Sequence, residues 1–511
     1  MVQPSRGTKS KAKPHIFFKS EVFFIANKTL LQGFEWYLPN DGYHWNRLRK
    51  RARKIKSANI DMIWLPPAYK GSAGKTSVGY DVYDKYDLGE FDQKGSVFTK
   101  YGTKEEYLRC IHSLQHNHIQ VLTDIVVNHM TGADATEQVQ VREYSQENRN
   151  EEVGEAREIT AWTSFNFPGR NGVYSEDTWD ASDFNATDFD AREKRSGIFQ
   201  FEGKSWNGKV DWEKGNFDYL MGANLDTTNP QTARKVLEWA KWYLDTTGAD
   251  GLRLDAVKHI SHDFIPYLLK EMRVHAGRDF FAVGEYWSGE LERLLNYLDE
   301  INDSCSLFDV PLHYALWNAS CSNGQYDMRL LMADSLLKAR PEQAVTFVDN
   351  HDTQPGQALQ SFIQPWFKQQ AYAMILFQQQ GLPCVFYGDL FGIPHDNLPA
   401  VPMLEEMCRA RYRCAYGAQR DYFSDPHVVG FTRKGRSDNK YSGMAVLITN
   451  AQGGSKRMYV NARFRGQEFV DLLHPENAPV TLDEHGIGDF YVGDGSAAVW
   501  IRRGAYEYLM R

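Results

Sequence analysis

The amino-acid sequence predicts an α/β fold, a closed (β/α)8 TIM barrel that is interrupted once and followed by a β domain. Three observations support this prediction. Short runs rich in β-branched residues alternate eight times with amphipathic stretches, which is typical of parallel strands joined by crossover helices. One connection is far longer than the others. Beyond about residue 425 the helical pattern gives way to alternating strands.

Eight alternations predict a closed barrel rather than an open doubly wound sheet. The strands are expected near residues 29–36, 61–67, 120–128, 251–257, 280–286, 306–312, 344–350 and 383–388. The helices are expected near residues 44–58, 104–117, 231–246, 263–276, 290–301, 327–340, 366–380 and 403–416. In the third of these, Ala233, Val236, Leu237 and Ala240 recur at the three- and four-residue spacing of one helix face.

The long connection follows His129, where roughly 95 residues rich in Asn, Asp, Gly and aromatic side chains precede the next helix. A loop of this length in a compact domain is usually functional or a small domain of its own. We therefore expect an inserted domain B over 130–224, on a barrel formed by 28–129 and 225–424. Residues 425–511 are expected to form a C-terminal antiparallel β-sandwich domain, and 1–27 a flexible N-terminal extension.

Composition and charge narrow the possible partners. The formal net charge of −8 argues against a general nucleic-acid-binding protein, because phosphate neutralisation needs a basic surface. No apolar run reaches the ~18 residues of a transmembrane helix, so no membrane partner is expected. The basic leader lacks a continuous apolar core for secretion. We expect a cytoplasmic monomer, with a weak organelle-targeting leader as the alternative.

The chemistry of such a barrel lies at the C-terminal ends of its strands, so acidic residues there are candidates for catalysis. The two-residue period of the fourth strand places Arg253 and Asp255 on one face, where the arginine favours an ionised carboxylate suited to a nucleophile. Glu285 follows the fifth strand among apolar neighbours that can raise its pKa, which suits a general acid. A structural ion pair is the alternative for Arg253 and Asp255. With Asp352 and His351 after the seventh strand, however, the set matches what glycoside hydrolysis requires.

Four short blocks resemble those of the α-amylase family of glycoside hydrolases (family 13), and they stand in the family's order. They are the segments 124–129, 251–259, Glu285 with its neighbours, and 347–352. Further segments resemble the liquefying-type amylases of bacteria and their intracellular fungal relatives, at residues 32–37, 79–84, 100–103, 167–170 and 385–389. Each segment alone is weak evidence for the family, whereas together the segments are highly specific. They run from about Leu30 to the end of the chain.

The resemblance implies endo-acting, retaining hydrolysis of internal α-1,4-glucosidic bonds in starch, glycogen or maltooligosaccharides by double displacement. Asp255 is then the nucleophile, Glu285 the general acid and base, and Asp352 the carboxylate that holds the 2- and 3-hydroxyls of the sugar. The residues implied to contact the α-glucan substrate are Tyr80, His129, Arg253, Lys258, His259, Trp287 and His351. For Tyr80 the alternative is a core aromatic residue.

The resemblance also implies one Ca2+ ion between the barrel and the insertion. The implied metal ligands are Asn128, Asp218, Asn224 and the backbone carbonyl of His259. Scattered oxygen ligands suit calcium and would not suit zinc, which prefers His and Cys. Bacterial relatives have Asp where this chain has Asn185 and Asn224. The resemblance therefore does not extend to their further metal cluster, which would also need Asp211 and Asp226.

Two other functions stay open at the level of sequence. A transglycosylase of the same family uses the same three carboxylates and passes the glycosyl group to another glucan instead of water. A non-catalytic glucan-binding protein is less consistent with the sequence, because all three carboxylates are present.

Overall fold

The computed structural model describes residues 27–511, so the predicted extension over 1–27 lies outside the described residues except for its last residue. Eight parallel strands form a closed barrel, at Leu30–Gln32, Met62–Trp64, Gln120–Ile125, Gly251–Leu254, Phe281–Gly284, Ser306–Phe308, Ala344–Phe347 and Leu382–Phe386. The first strand pairs with both the second and the eighth, since Leu30 lies opposite Met62 and Cys384. The predicted (β/α)8 barrel is confirmed.

Helices connect the barrel strands, at His44–Ser57, Lys104–His116, Pro230–Thr247, Phe264–Ala276, Leu291–Glu300, Val310–Cys321, Lys368–Leu376 and Leu404–Cys414. Seven of these lie where the sequence pattern predicts a helix. The second begins with a reciprocal cap, in which Thr103 accepts from the Glu106 N–H and Glu106 accepts from the Thr103 N–H. Among residues 27–511, no helix has both the length and the apolar character of a membrane span.

The prediction of a long helix over 327–340 was wrong. The sixth helix begins earlier, at Val310, inside the run 306–312 that predicted a strand. The predicted place holds a single 3-10 turn, Met328–Leu330, and the short helix Leu336–Ala339. Asp309 caps the helix by accepting from the Leu312 N–H at 3.1 Å, and Pro311 stands in the first turn, where no N–H is needed. Most of the helix is buried, so it lacks the polar–apolar period that identifies a surface helix.

The long connection after the third barrel strand folds into a six-stranded antiparallel sheet. In spatial order its strands are His129–Met130, Ala223–Leu225, Phe184–Asp190, Arg195–Phe201, Ala135–Tyr144 and Arg157–Ser164. The edge strand follows the third barrel strand closely, and His129 pairs with Asn224. The entry and the exit of the insertion are therefore hydrogen-bonded to each other beside the barrel. The predicted limits of this domain stay a prediction.

The C-terminal segment forms two layers of antiparallel strands, as predicted. The larger sheet contains, in spatial order, Gln419–Tyr422, Val428–Arg433, Met444–Thr449, Ala497–Arg502, Glu468–Asp471 and Val480–Thr481, and the smaller contains Gly454–Tyr459 and Ile487–Val492. Trp500 joins the layers, since its ring packs 4.9 Å from Tyr491 and its Nε1 donates to the Tyr491 carbonyl at 3.0 Å. Arg433 donates to the Phe377 carbonyl at 2.9 Å and attaches this domain to the barrel. The sequence pattern does not predict the final helix, Arg503–Leu509.

Candidate active site

Arg253 stands at the centre of the site, fully buried, and donates hydrogen bonds to carboxylates from three strand ends. Its Nη1 lies 3.0 and 3.1 Å from the two oxygens of Asp124 and 2.6 Å from Asp255 Oδ1, while Nη2 donates to Glu285. The strand register explains this convergence. Leu254 lies opposite Gly284, so Asp255 and Glu285 leave their neighbouring strands at the same edge of the barrel.

A left-handed residue turns the backbone after Asp255. Ala256 has a φ of +49°, a conformation that costs a non-glycine residue about 1–3 kcal/mol. The turn directs the Ala256 N–H towards Glu285 Oε2 at 3.4 Å and the Val257 N–H towards the Glu285 carbonyl at 3.0 Å. The strained turn therefore sets the position of Glu285 relative to Asp255.

Burial makes the charged forms of these acids costly. Desolvation raises the pKa of Asp124 to about 7 and raises the pKa of Asp255 and of Glu285, while Arg253 opposes each shift. Asp352 keeps 24% of its side chain exposed, yet burial and then the charge of Glu285 raise its pKa as well. One guanidinium faces four carboxyl groups, so the neutral form of at least one of them is favoured. The site thus offers a carboxylic acid beside a carboxylate.

His351 lies beside Asp352 as a neutral imidazole. Gln32 Nε2 donates to its Nδ1 at 3.1 Å, which puts the ring proton on Nε2, 3.2 Å from Asp352 Oδ2. Burial and the charge of Arg253 lower the pKa of His351 well below its usual value. The ring therefore supplies a hydrogen-bond donor to this side of the site rather than a positive charge.

Three nearly parallel rings lie next to the carboxylates. Tyr80 is 5.0 Å from His351 with 9° between the planes, and 6.5 Å from Trp36 with 3° between them. Gly79 makes this position possible, because its φ is +101° and a Cβ there would meet Pro67 at 2.7 Å. Tyr80 is partly exposed, which favours the predicted sugar platform over a core aromatic residue.

Lys258 and Trp287 lie together beyond Asp255 and Glu285. The Lys258 ammonium donates to Glu213 of the insertion and to the Trp287 carbonyl at 3.1 Å. These contacts connect the fourth and fifth strand ends with the inserted segment. The two predicted sugar-contacting residues are thus brought to the same side of the site.

The other two predicted histidines are already bonded within the protein. Both ring nitrogens of His129 face protein oxygens, the Tyr80 carbonyl at 2.8 Å and Asn128 Oδ1 at 3.2 Å. His259 Nδ1 lies 2.7 Å from the Phe217 carbonyl. Burial lowers the pKa of His129 to about 4 and that of His259 to about 3. Both rings are neutral near pH 7, and their contact with sugar stays a prediction.

Comparison with known proteins identifies the family. The family model of the α-amylase catalytic domain matches residues 49–430. The chain belongs to the α-amylase family. It is 48% identical over 480 residues to the α-amylase of Geobacillus stearothermophilus, covering 93% of this chain and 87% of that one. It is 40% identical over 492 residues to the cytoplasmic α-amylase of Escherichia coli K12, covering 93% of this chain and 99% of that one.

The comparison with solved structures supports the fold. The crystal structure of an α-amylase from Geobacillus thermoleovorans in complex with acarbose superposes with a TM-score of 0.62, covering 94% of this chain and 98% of that one. Its sequence identity of 18% means that this likeness supports the fold alone. As a member of the α-amylase family, the chain is a glycoside hydrolase of α-1,4-glucosidic bonds.

The calcium ligands suggested by the α-amylase family lie together. The Asn128 amide donates to the His259 carbonyl at 3.2 Å, and the Asn185 amide donates to Asp218 at 2.7 Å. Asn224 donates to Asn185 at 2.8 Å, but its own buried Oδ1 has no hydrogen-bond partner. An unpaired buried oxygen among a carboxylate, amides and a carbonyl fits a hard cation. Within residues 27–511, no group of three or more His, Cys, Asp or Glu side chains is arranged to hold a metal, so the fit depends mainly on amide and carbonyl oxygens.

The two carboxylates that a further metal cluster would need are occupied by cationic side chains. Arg293 donates to Asp211 at 2.7 Å, and Lys204 donates to Asp226 at 2.8 Å. Each carboxylate is neutralised by the protein itself, which leaves less charge for additional cations. The single calcium ion that the resemblance implies stays a prediction.

Sequence reasoning assigned no role to Asp124, Gln32 or Trp64, although all three support the site. Trp64 Nε1 donates to Asp124 at 2.9 Å, and its ring lies 4.8 Å from the Arg253 guanidinium. Asp124 stands in one of the four α-amylase blocks, so its acidic side chain in an apolar strand was a usable signal. Gln32, a polar residue in an apolar strand, was a weaker indication of a functional role. The sequence around Trp64 is typical of any core aromatic residue.

Proposed function

We propose that the enzyme hydrolyses internal α-1,4-glucosidic bonds of starch, glycogen or maltooligosaccharides by a retaining double displacement. One observation carries the proposal: Asp255 and Glu285 accept from the same guanidinium at neighbouring strand ends. A nucleophile and a proton donor that act on one sugar carbon must be this close, about 5–5.5 Å between carboxyl groups in retaining enzymes.

In the first step, a carboxylate oxygen of Asp255 attacks the anomeric carbon. Glu285 gives its proton to the glycosidic oxygen, and the bond between that oxygen and the anomeric carbon breaks. The product is a β-glycosyl ester of Asp255 and a free glucan with a new 4-hydroxyl. Burial raises the pKa of both carboxyl groups and Arg253 opposes both shifts, while the charge of Asp255 raises the pKa of Glu285 further. This added effect favours Glu285 as the protonated partner of the pair.

In the second step, Glu285 is ionised and accepts a proton from water. The water oxygen attacks the anomeric carbon from the opposite face, and the bond to Asp255 breaks. Two inversions return the α configuration. Asp255 leaves as a carboxylate and Glu285 is again protonated, so the site is ready for another turnover.

The surrounding residues would hold the sugar that is attacked. Tyr80 offers its ring as a stacking surface, and Asp352 with its neutral partner His351 offers an acceptor and a donor to the 2- and 3-hydroxyls. Arg253 contributes by positioning both reacting carboxyl groups. Lys258 and Trp287, on the other side of Glu285, would contact the leaving glucan.

Calcium would be held by Asn128, Asp218, Asn224 and the His259 carbonyl. These atoms come from the end of the third strand, the inserted segment and the exit of the fourth strand. A cation there would stabilise the connection between barrel and insertion by mass action, because it binds only the folded arrangement. The proton transfers between Glu285, the glycosidic oxygen and water do not require calcium.

A time course of products from maltoheptaose tests this function. Endo-hydrolysis gives only chains shorter than the substrate, from the earliest time points. Chains longer than seven glucose units would instead identify a transglycosylase, in which a glucan takes the place of water. No products at all, from protein that binds maltoheptaose, would identify a glucan-binding protein without catalysis.

We also propose that the enzyme acts as a monomer in the cytoplasm on an α-glucan. All six cysteines carry free thiols, which suits a reducing compartment, and one relative with 99% coverage is a cytoplasmic α-amylase. Fractionation of the native source with antibodies against the chain, and sedimentation of the purified protein, test the two parts separately.

A further inference from the structure

A buried network of charged side chains lies behind the turn that carries Asp352. Asp349 precedes Asp352 by three residues and is buried, as are Lys368, at the start of a helix, and Asp389, beyond the eighth strand. The Lys368 ammonium donates to Asp349 and, at 2.8 Å, to Asp389 Oδ1. Both acids stand in segments that resemble the α-amylase family, yet the proposed mechanism uses neither of them.

The far end of this network is attached to the barrel itself. The Tyr372 hydroxyl donates to Asp389 Oδ2 at 2.7 Å and accepts from the N–H of Phe386, the last residue of the eighth strand, at 3.3 Å. The seventh and eighth strands are hydrogen-bonded neighbours, so Lys368 joins two carboxylates that leave adjacent strand ends. Separation of such a buried pair would leave uncompensated charges, which is strongly unfavourable. The network therefore fixes the chain after the seventh strand to the chain after the eighth.

Thr353 connects the network with the turn. Its buried hydroxyl donates to Asp349 Oδ1 at 2.7 Å, the nearer of two acceptors, because the Asn350 carbonyl lies at 3.3 Å. The same hydroxyl oxygen accepts from the Asn350 N–H at 3.0 Å. Asn350 Oδ1 in turn accepts from the Asp352 N–H at 2.8 Å and from the Thr353 N–H at 2.9 Å. Hydrogen bonds thus lead without a gap from the buried lysine to the backbone of Asp352.

We propose that Asp349 and Thr353 are positioning residues, which transmit the fixed position of Lys368 to the carboxylate of Asp352. The inference rests on the proposed function, because it takes from it the role of Asp352 at the 2- and 3-hydroxyls of the attacked sugar. Hydrogen bonds to the 2-hydroxyl strengthen in the transition state of glycoside hydrolysis. A misplaced Asp352 should therefore lower kcat more than it raises KM. Asp349 and Thr353 themselves neither give nor take a proton.

Thr353→Val tests this role, because it removes the hydroxyl and keeps the shape of the side chain. On α-maltosyl fluoride kcat should fall about tenfold, with KM changed by less than about twofold, since a small displacement of a contacting group affects mainly the transition state. On the analogue that lacks the 2-hydroxyl of the attacked glucose, where Asp352 has less to hold, the fall should be about threefold or less. Thr353→Ser, which keeps a hydroxyl, should restore most of the activity. Equal losses on the two substrates, or no recovery with serine, would overturn the inference.

A matched control lies at the start of the helix Pro230–Thr247. Thr232 is buried, and its hydroxyl donates to Asp183 Oδ1 at 2.9 Å, while Lys235 donates to Asp183 Oδ2 at 2.7 Å. Thr232→Val therefore removes a hydroxyl from another set of threonine, aspartate and lysine, outside the candidate site. It should lower the melting temperature and leave the ratio of the rates on the two fluorides unchanged. The same change of ratio in this control would show that lost stability, and not the placement of Asp352, is responsible.

A second variant keeps the test decisive if Thr353→Val does not fold at the assay temperature. Thr353→Ala removes the hydroxyl without placing an additional methyl group against Asp349. It must then show the unequal losses on the two fluorides, and equal losses would contradict the inference.

Asp352→Asn separates a failure of this inference from a failure of the proposed function. If Asp352→Asn loses more activity on the substrate with the 2-hydroxyl and Thr353→Val does not, the positioning role is wrong. If Asp352→Asn loses equally on both substrates, the proposed role of Asp352 is refuted instead. A crystal structure of Thr353→Val then decides the placement by the distance between Asp352 Oδ2 and His351 Nε2, which is 3.2 Å in the parent. A displaced carboxylate would support the inference, and an unchanged distance would overturn it.

Discussion

Arg253 and Asp124 are joined by one guanidinium nitrogen that lies 3.0 and 3.1 Å from the two carboxylate oxygens. Both side chains are completely buried. Asp124 thus supplies negative charge to the same arginine that holds Asp255 and Glu285. It touches neither of those carboxylates through a hydrogen bond, so we regard it as a positioning residue.

Asp124→Asn should lower kcat/KM by about 10²-fold, because small displacements of reacting groups have effects of this size. It should also move both limbs of the pH profile to lower pH. With one anion removed, Arg253 is less neutralised and lowers the pKa of Asp255 and of Glu285. The measurement is kcat/KM on maltoheptaose between pH 4 and 9. Asp309→Asn, which alters a buried acid that caps the sixth helix, is the control and should reduce stability without moving the profile. A profile unchanged in Asp124→Asn would contradict the positioning role.

Asp255→Asn and Glu285→Gln should each reduce kcat by at least ~10³-fold, because one removes the attacking group and the other the proton donor. Each replacement keeps the size of the side chain, so the fold should be retained. Initial rates on maltoheptaose, with circular dichroism of each variant, check this prediction. Near-normal turnover by either folded variant would end the assignment of that residue.

The pH dependence of kcat/KM should be set by carboxyl groups and not by histidines. Glu285 must be protonated to act, and burial raises its pKa, so the alkaline limb should lie above the ordinary glutamic acid value of about 4.3. Asp255 must be ionised, so activity is lost again at low pH. The pKa of His129 is about 4 and that of His259 about 3, so neither imidazole changes charge between pH 5 and 8. An alkaline limb that disappears in His129→Asn would refute this account.

The first product released should carry the α anomer. Double displacement through Asp255 inverts the anomeric carbon twice, whereas direct attack by water inverts it once. Proton NMR of a fresh maltoheptaose digest, recorded before mutarotation, distinguishes the two. A β-anomeric product would replace the nucleophile by a general base and require a wider separation of the carboxyl groups, about 6.5–9.5 Å.

Calcium should stabilise the protein without taking part in the proton transfers. At a free concentration a hundredfold above Kd the gain is about 2.7 kcal/mol, so a chelator should lower the melting temperature. Asp218→Ala should remove the response to calcium, and Asn224→Asp should increase the affinity, because it restores a carboxylate among the oxygen ligands. Thermal melts over a calcium titration compare the three proteins. Lys204→Ala, which alters the Asp226 pair instead, is the control; an unchanged melting temperature of the parent with chelator would show that the site is wrong.

Much of the fold was predictable because its signals are local. The period of strands and helices follows from which neighbouring residues are buried, and eight alternations permit few architectures other than a barrel. The sequence pattern did not predict the sixth helix, because Val310–Cys321 is buried on most sides and so resembles a strand followed by a loop. Its real signal was the cap at Asp309 with Pro311 in the first turn.

The sequence by itself determined the barrel, its insertion and the three acids at strand ends, because each depends on residues within a few positions of one another. Only the tertiary structure decided how those acids are charged and held. Arg253 meets Asp124 across 129 positions and Gln32 meets His351 across 319, and no local pattern carries such contacts. The ion pair between Lys204 and Asp226 could not be predicted from the local sequence either. Burial shifts each pKa through all the groups around it at once, so the protonation of the site is a property of the folded barrel.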